Sequence, residues 1–328
     1  MTDITFVTSL EQLHEVPDGA TVDDTVYRAG GTDLQDRLRT SNAEPRIIDL
    51  TGLPGFADVS TADDGGLVIG AGVTVARLAR DLAGSHPALA LTCAGLATPQ
   101  VRAVATIGGN LLQHTRCWYY RHPETTCLKS GGTTCPARDG RHLYGVAFDT
   151  SPCVHPHPSS VAMALLTYDA TVTVSGGGRL GVEELLGGPD GPDGPIGSDG
   201  TRDHHLPAGE VLTTVVLPPA LDGERAAYFR AISRFEAEWP LVEAVCRVQI
   251  GDDARVAQCG IAIGGVAPVP LRLHAAEDLL TGSRLDDLTI DAVCEAATVG
   301  ANPLPETGYK VALIAATVRE VLERVAAG

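Results

Sequence analysis

Four of the eight cysteines fall within one stretch of the chain, between residues 117 and 153. Thiolates bind zinc and iron–sulfur clusters, and a [4Fe–4S] cluster is usually held by four of them. No secretion signal is recognisable in the sequence, which favours metal or redox chemistry over structural disulfides. The candidate ligands are Cys117, Cys127, Cys135 and Cys153.

The spacing of these cysteines does not by itself select a metal. The gaps are irregular and contain no CxxC pair, so the common zinc-ribbon spacing is absent. From spacing alone, unliganded buried cysteines, a zinc site and a [4Fe–4S] cluster are comparable alternatives. The remaining cysteines lie in apolar runs and are predicted to be small buried side chains. They are Cys93, Cys246, Cys259 and Cys294.

Two glycine pairs, at residues 30–31 and 108–109, form a second kind of candidate site. Backbone N–H groups in such turns can converge on a phosphate, because glycine tolerates the required dihedral angles and allows close approach. Neither pair fits GxGxxG, so a Rossmann fold is not supported. By spacing alone the first pair is better explained as a tight turn, with Thr32 and Asp33 as helix caps. Two facing turns, however, would supply the donors that a dinucleotide diphosphate needs.

The elements that must position these groups alternate in type over the first third of the chain. Strands are predicted at residues 25–29, 47–50 and 67–71, and helices at residues 34–39 and 75–82. Such alternation indicates partly parallel strand pairing. The cysteine-rich stretch, residues 114–157, has little regular patterning and is predicted to be a long loop.

The rest of the chain divides near residue 220. Before this point come a helix at 161–166, a strand at 170–174 and a strand at 211–217. Residues 187–205 are dense in Gly, Pro and Asp and are predicted to form a mobile surface loop. After it, strands precede helices, which indicates an α+β unit. The strands are predicted at 244–250 and 256–263, and the helices at 274–280, 290–297 and 311–325.

Composition excludes several classes of partner. The net charge of −17 would repel nucleic-acid phosphates and anionic lipids. The sequence contains no run of 18 apolar residues, so no membrane span is predicted. A cytoplasmic location is predicted, unless a partner subunit that carries a signal exports the folded protein.

The glycine pairs and their flanks resemble one family. The run Arg28-Ala29-Gly30-Gly31-Thr32-Asp33-Leu34 is similar to the first FAD-binding turn of the flavoprotein subunits of molybdenum hydroxylases. Residues 99–102, leading into Thr106-Ile107-Gly108-Gly109-Asn110, resemble the second turn. Shorter similarities at residues 207–212, 264–268 and 308–310 extend the resemblance over nearly the whole chain.

The resemblance implies an α+β protein with a vanillyl-alcohol-oxidase-like FAD-binding fold. Two α/β subdomains (1–55 and 56–220) would be followed by a C-terminal α+β domain (221–328) of the CO-dehydrogenase flavoprotein type. At residues 159–160 this chain has Ser-Ser where many members have Ser-Asp, so the electrostatics beside the flavin differ. The residues implied to contact FAD are Arg28, Ala29, Gly30, Gly31, Thr32, Asp33, Leu34, Thr98, Thr106, Ile107, Gly108, Gly109, Asn110, Ser160, Leu212 and Arg230.

The resemblance also bears on the cysteines. A few members, among them 4-hydroxybenzoyl-CoA reductase and the periplasmic aldehyde oxidoreductases, insert a loop with a [4Fe–4S] cluster after the second turn, and residues 114–157 resemble that loop. The implied partners are a large molybdopterin subunit that oxidises an aldehyde or N-heterocycle and a small subunit with [2Fe–2S] clusters. This chain would pass electrons between those clusters, FAD and an external acceptor. The alternatives are a stand-alone flavoprotein oxidase or dehydrogenase, and a zinc-stabilised scaffold subunit without catalysis.

Overall fold

The first unit is a small parallel sheet with one α-helix and, among its described residues, a short 3-10 helix (Glu11–His14). The computed structural model describes residues 3–14, 25–40, 45–187, 200–207, 209–234 and 237–328. Strands β1 (Ile4–Phe6), β2 (Thr25–Arg28) and β3 (Arg46–Asp49) are parallel in the order β1-β3-β2, and α1 (Thr32–Thr40) connects β2 to β3. The predicted parallel pairing is confirmed for this sheet, and the helix returns the chain to its starting edge.

The second unit contains a five-stranded antiparallel sheet covered by helices. Its strands, in the order β4-β5-β8-β6-β7, are β4 (Val59–Thr61), β5 (Leu67–Gly70), β6 (Thr171–Val174), β7 (Arg179–Gly181) and β8 (Leu212–Leu217). The helices are α2 (Val75–Asp81), α3 (Pro87–Gly95), α4 (Pro99–Val104), α5 (Ile107–Leu111), α6 (Trp118–Arg121), α7 (Pro136–Asp139), α8 (Ser160–Leu166) and α9 (Val182–Leu186). Every residue of α8 is buried, so this apolar helix is the centre of the core.

The third unit is an antiparallel sheet with helices on one face. Its strands, in the order β12-β11-β10-β9, are β9 (Arg225–Ala231), β10 (Val242–Ile250), β11 (Val256–Gly264) and β12 (Leu271–Arg272). The helices are α10 (His274–Leu280), α11 (Asp287–Ala296) and α12 (Tyr309–Ala327). Buried side chains recur along α12 at Ile314, Val318, Val321 and Val325, which is the spacing of one helical face against a core.

A buried ion pair joins the second and third units. Arg247 of β10 lies 2.8 Å from Glu224, with side chains only 4% and 2% exposed. The same guanidinium donates to the Thr167 carbonyl at the end of α8 and lies over the Tyr168 ring. The two units therefore share a packed interface, although the predicted boundary near residue 220 stays a prediction.

The predicted mobile surface loop at residues 187–205 is confirmed as a loop in its described part, but it does not lie wholly at the surface. Residues 188–199 lie outside the described residues, and residues 200–205 contain no helix or strand. Gly200 is buried, and the Asp203 side chain is 8% exposed beside Lys129. Composition did not predict this burial, because an ion pair can bury a segment that has few apolar side chains.

Lys310, on the first turn of α12, is a buried cation with a testable effect on stability. Its side chain is 1% exposed and donates to the carbonyls of Gly265 (2.7 Å) and Tyr144 (3.4 Å). Burial lowers the pKa of Lys310 to about 7. Between about pH 7 and 10.5 the unfolded chain therefore holds a proton that the folded chain has lost, and stability rises with pH.

We expect the wild-type free energy of unfolding to gain up to about 1.4 kcal/mol per pH unit in this window from Lys310. Lys310→Met should remove that component. Below pH 7 the free energy of unfolding should change with pH equally in the wild type and in Lys310→Met. Urea denaturation at several pH values measures it. Parallel slopes for the two proteins between pH 7 and 10 would contradict the assignment.

Candidate cofactor sites

The first glycine turn lies between β2 and α1 and requires glycine at both positions. A Cβ at Gly30 would overlap the Val104 carbonyl oxygen, so the backbone here lies directly against the second half of the site. Gly31 has a φ of +70°, in the left-handed region that other residues rarely adopt. The turn thus leads into α1, whose N-terminus favours an anion.

The second turn uses its two glycines differently. A Cβ at Gly108 would lie 2.8 Å from the Ala71 Cβ, so this glycine is needed for packing. Gly109 is exposed, and a Cβ there would meet only the Thr106 Oγ1, at 3.0 Å. The Gly109 N–H donates to that same oxygen at 3.2 Å. Gly109 therefore leaves open the space that the two turns share.

Both turns line one groove of about 480 Å³. It is open to solvent and long, with His114, Leu206 and Val211 among the other lining residues. The residues predicted to contact FAD that line it are Arg28, Ala29, Gly30, Gly31, Thr32, Asp33, Leu34, Thr106, Gly108, Gly109 and Leu212. Two turns 78 positions apart in sequence thus face each other across a single space.

A smaller cavity of about 140 Å³ continues the groove past Thr32. Of the predicted residues, Asn110, Ser160 and Arg230 line it. The structure does not bring Thr98 or Ile107 to either cavity. The Thr98 hydroxyl instead caps α4 by accepting from the Val101 N–H (3.3 Å), and the Ile107 side chain is fully buried in the core.

A buried carboxyl group, which the sequence analysis did not predict, adjoins Ser160. The hydroxyls of Ser160 and Tyr228 donate to the two oxygens of Glu243, at 2.9 and 2.8 Å. Glu243 is 2% exposed, and burial raises its pKa. A carboxyl group from β10 thus lies beside the Ser-Ser pair. An acid inside the apolar run of β10 was the signal that could have revealed it.

Asp33 connects the first glycine turn to the cysteine-rich stretch. Its carboxylate accepts from the side chains of Arg116 and Arg121 and from the His114 N–H (3.1 Å). Burial raises the pKa of Asp33, but the two guanidiniums outweigh it, and the net pKa is lowered. Asp33 is therefore more than a helix cap: it holds the two candidate sites together.

We expect Asp33→Asn to lower the free energy of unfolding by about 1–3 kcal/mol, because two half-buried guanidiniums lose the carboxylate that both contact. Since the pKa of Asp33 is lowered in the fold, this difference from wild type should shrink as the pH falls below about 4. Asp36→Asn is the matched control. Asp36 contacts the same Arg121 at 3.1 Å, but its side chain is 60% exposed and should matter little. Equal losses in urea denaturation for both variants would contradict this role.

The four cysteines of the 117–153 stretch line one small internal cavity, together with Tyr119, Tyr120 and Leu128. The thiols of Cys135 and Cys153 form a hydrogen bond, which lowers the pKa of the Cys135 thiol. Among the described residues, no three Cys, His, Asp or Glu side chains lie at the spacing of ligands to one metal ion. The other four cysteines, as predicted, are buried in the cores: Cys93, Cys246, Cys259 and Cys294.

The segment 200–206 packs against residues that line this cysteine cavity. A Cβ at Gly200 would lie 2.9 Å from the Cys153 backbone nitrogen, which shows how closely the chain passes. Asp203 accepts from Lys129 (3.0 Å), which lines the cavity, and contacts His114 (3.2 Å), which lines the groove. Burial raises the pKa of Asp203, but these partners hold it far below its usual value. One buried carboxylate thus spans the two sites.

Comparison with known proteins accounts for this arrangement. Residues 1–220 match the family described as the FAD binding domain in molybdopterin dehydrogenase, and residues 227–325 match the CO dehydrogenase flavoprotein C-terminal domain. The FAD-binding subunit PaoB of an Escherichia coli aldehyde oxidoreductase is 32% identical over 306 residues, covering 90% of each chain. The chain belongs to the FAD-binding subunits of molybdenum hydroxylases.

Further relatives of this FAD-binding subunit agree. Subunit alpha of the 6-hydroxypseudooxynicotine dehydrogenase complex of Paenarthrobacter nicotinovorans is 24% identical, over 93% of this chain and 86% of its own. Quinoline 2-oxidoreductase from Pseudomonas putida 86 contains a chain with a TM-score of 0.73 at 20% identity, covering 100% and 98% of the two chains. A chain of CO dehydrogenase from Oligotropha carboxidovorans has a TM-score of 0.73 at 19% sequence identity, with the same coverage of the two chains. At these identities the two structures show the fold alone.

The predicted family, the α+β fold class and the oxidoreductase function as a flavoprotein subunit are therefore confirmed, and FAD is the cofactor. Among the described helices, none has the length and apolar character to cross a membrane. The cytoplasmic location stays a prediction.

Proposed function

We propose that this subunit is an electron relay with two cofactors, FAD in the groove and a [4Fe–4S] cluster in the cysteine cavity. The observation that carries the proposal is the convergence of Cys117, Cys127, Cys135 and Cys153 on one cavity that is joined to the groove through Asp33 and Asp203.

The two glycine turns are suited to the FAD diphosphate. Gly31 and Gly109 place no side chain between the backbone and the groove, so a phosphate can approach closely, and α1 adds the favourable end of its dipole. The remainder of the groove would take the adenosine half. The flavin half would extend into the smaller cavity beside Ser160 and Arg230, where Glu243 would act as a nearby carboxyl group.

The chemistry of the cysteine cavity fits a cluster better than a single ion. A [4Fe–4S] cluster takes four cysteine ligands, and the cavity offers four thiols. Among the described residues, no three Cys, His, Asp or Glu side chains are arranged to hold a single metal ion, which favours a cluster over zinc. Tyr119 and Tyr120 line the same cavity and would exclude water, which is one means of tuning a cluster potential.

When bound, FAD exchanges two electrons, whereas an iron–sulfur cluster exchanges one at a time. Together they would link two-electron transfer to one-electron transfer. The protein would set the position of both. The residue before Cys117 is Arg116, and the Arg116 guanidinium contacts Asp33 in the first glycine turn. This gives a short connection of bonds and contacts between the cysteine cavity and the groove.

The resemblance and the relatives suggest the partners. Two of the relatives are subunits of an aldehyde oxidoreductase and of a dehydrogenase complex. We propose that a large molybdopterin subunit oxidises an aldehyde or an N-heterocycle and that a small subunit with [2Fe–2S] clusters delivers the electrons. This chain would then pass them to an external acceptor, or carry them in the reverse direction.

Cofactor content of the purified chain tests the proposal. We expect one FAD and about four irons with matching sulfide per chain, and a broad absorbance near 400 nm in addition to the flavin bands. Flavin without iron would overturn the second cofactor, and bound zinc would identify the cavity as structural. Oxidation of an organic substrate by the solitary chain would instead indicate a stand-alone flavoprotein.

A further inference from the structure

The buried carboxyl group of Glu243 adjoins two cavities at once. It lines a third cavity, of about 450 Å³, and it contacts Ser160, which lines the smaller cavity together with Arg230. The smaller cavity is the one that would take the flavin half of FAD. The two cavities have a common wall, formed by Arg116, Glu238, Trp239 and Pro240. Although only 2% exposed, Glu243 therefore lies beside both spaces.

Two neutral hydroxyls hold the Glu243 carboxyl in place. Ser160 donates to Oε1 at 2.9 Å, and Tyr228 donates to Oε2 at 2.8 Å. Arg230 lies directly opposite Glu243 on β9, but its guanidinium donates to a main-chain carbonyl instead (3.4 Å). Among the described residues, no cation forms a hydrogen bond with this carboxyl. A buried carboxylate without a paired cation loses much of its solvation and favours its neutral form.

Such a carboxyl can change its protonation state in response to a charge nearby. Burial raises the pKa of Glu243, while the two hydroxyls and the positive charge of Arg230 oppose that rise. A negative charge added in the smaller cavity would raise this pKa further, because two like charges would then share a buried region. Glu243 would respond to that charge by taking up a proton.

The third cavity gives protons a route to Glu243. It reaches the surface at Trp118 and Trp239, which are 59% and 47% exposed. The other ionisable side chains of its lining are Arg116, Tyr144, His155, His157, Arg234 and Glu238. The Glu238 carboxylate is exposed and accepts from the Arg234 N–H at 2.9 Å. Among the described lining residues, Glu243 is thus the one buried carboxyl.

We propose that Glu243 is the proton acceptor that balances the charge of the flavin when FAD is reduced. The inference rests on the proposed function, which places the flavin half in the smaller cavity. On reduction FAD gains two electrons and one proton, so one negative charge is added; the electrons come from the partner clusters. The Glu243 carboxylate takes a second proton from solvent and becomes a neutral acid. Two electrons then enter with two protons, and reoxidation returns both protons to solvent.

Infrared difference spectroscopy of the FAD-loaded full chain, reduced minus oxidised in an electrochemical cell, detects this proton directly. Between about pH 6 and 8 we expect reduction to produce the C=O band of one protonated carboxyl group. The band should be absent in Glu243→Gln. Glu238→Gln is the matched control, because it removes the exposed acid of the same cavity, and it should keep the band. No band in the wild type, or an equal band in Glu243→Gln, would overturn the proposal.

Tyr228→Phe tests the assignment while leaving the carboxyl and the aromatic ring in place. The lost hydroxyl stabilised the charged form of Glu243, so the pH range of proton uptake should move upward by about 1–2 pH units. An unchanged pH range would contradict the assignment.

The FAD-free chain separates the flavin from the cysteine cavity as the source of the effect. We expect no carboxyl band on reduction without FAD, and a band there would overturn the link to the flavin. If a flavin assay finds no FAD in the purified chain, the proposed function fails and the inference with it. Bound FAD without the carboxyl band means that the inference alone fails.

Discussion

Gly109→Val is expected to abolish FAD binding while leaving the protein folded. The two methyl groups of valine would enter the groove between the glycine turns, where the diphosphate must approach the backbone. Because the added Cβ meets only the Thr106 Oγ1, at 3.0 Å, the surrounding structure needs little adjustment. We expect the affinity for FAD to fall at least about 100-fold, or ~2.7 kcal/mol, in a flavin fluorescence titration.

Two further variants make this result interpretable. Gly84→Val is the matched control, because Gly84 is exposed and a Cβ there would meet no atom within 4 Å. It should bind FAD like the wild type. Gly30→Val should lose FAD too, but by misfolding, since its Cβ would overlap the Val104 carbonyl. Full flavin occupancy in a folded Gly109→Val protein would count against the two-turn site.

Cys127→Ser should remove the iron from the protein but retain FAD. Serine keeps the size of cysteine but offers a hydroxyl in place of the thiolate that iron prefers. We expect iron to fall from about four to below about one per chain, with loss of the broad absorbance near 400 nm. Iron, sulfide and flavin assays on the same sample measure both cofactors.

The matched control for this variant is Cys294→Ser. Cys294 is buried in the core of the third unit, 5% exposed and away from the cysteine cavity, so its replacement should leave iron unchanged. An iron content in Cys127→Ser equal to that of wild type would exclude Cys127 as a ligand. Loss of iron in both variants would point to general destabilisation rather than to ligation.

Much of the fold could be predicted from the sequence, because buried apolar residues recur with the period of a helix or a strand. The alternation in residues 25–71 predicted the first elements, and the helices of the third unit were predicted within a few residues of their observed bounds. Strand β9 (Arg225–Ala231) was missed. Its residues are mostly half-buried, so apolar and polar positions do not alternate, and its strand conformation comes from pairing with β10.

The sequence by itself determined the chemical groups of this protein: two glycine turns, a set of four cysteines and the order of elements around them. The local sequence is enough to identify these groups, because the conformational freedom of a glycine and the chemistry of a thiol are properties of the residue type itself. Tertiary structure alone decided which groups meet. Glu243 reaches Ser160 across 83 positions and Asp33 reaches Arg116 across the same number, contacts that no local pattern encodes. Such pairs form only when packed elements bury charges that must then find partners.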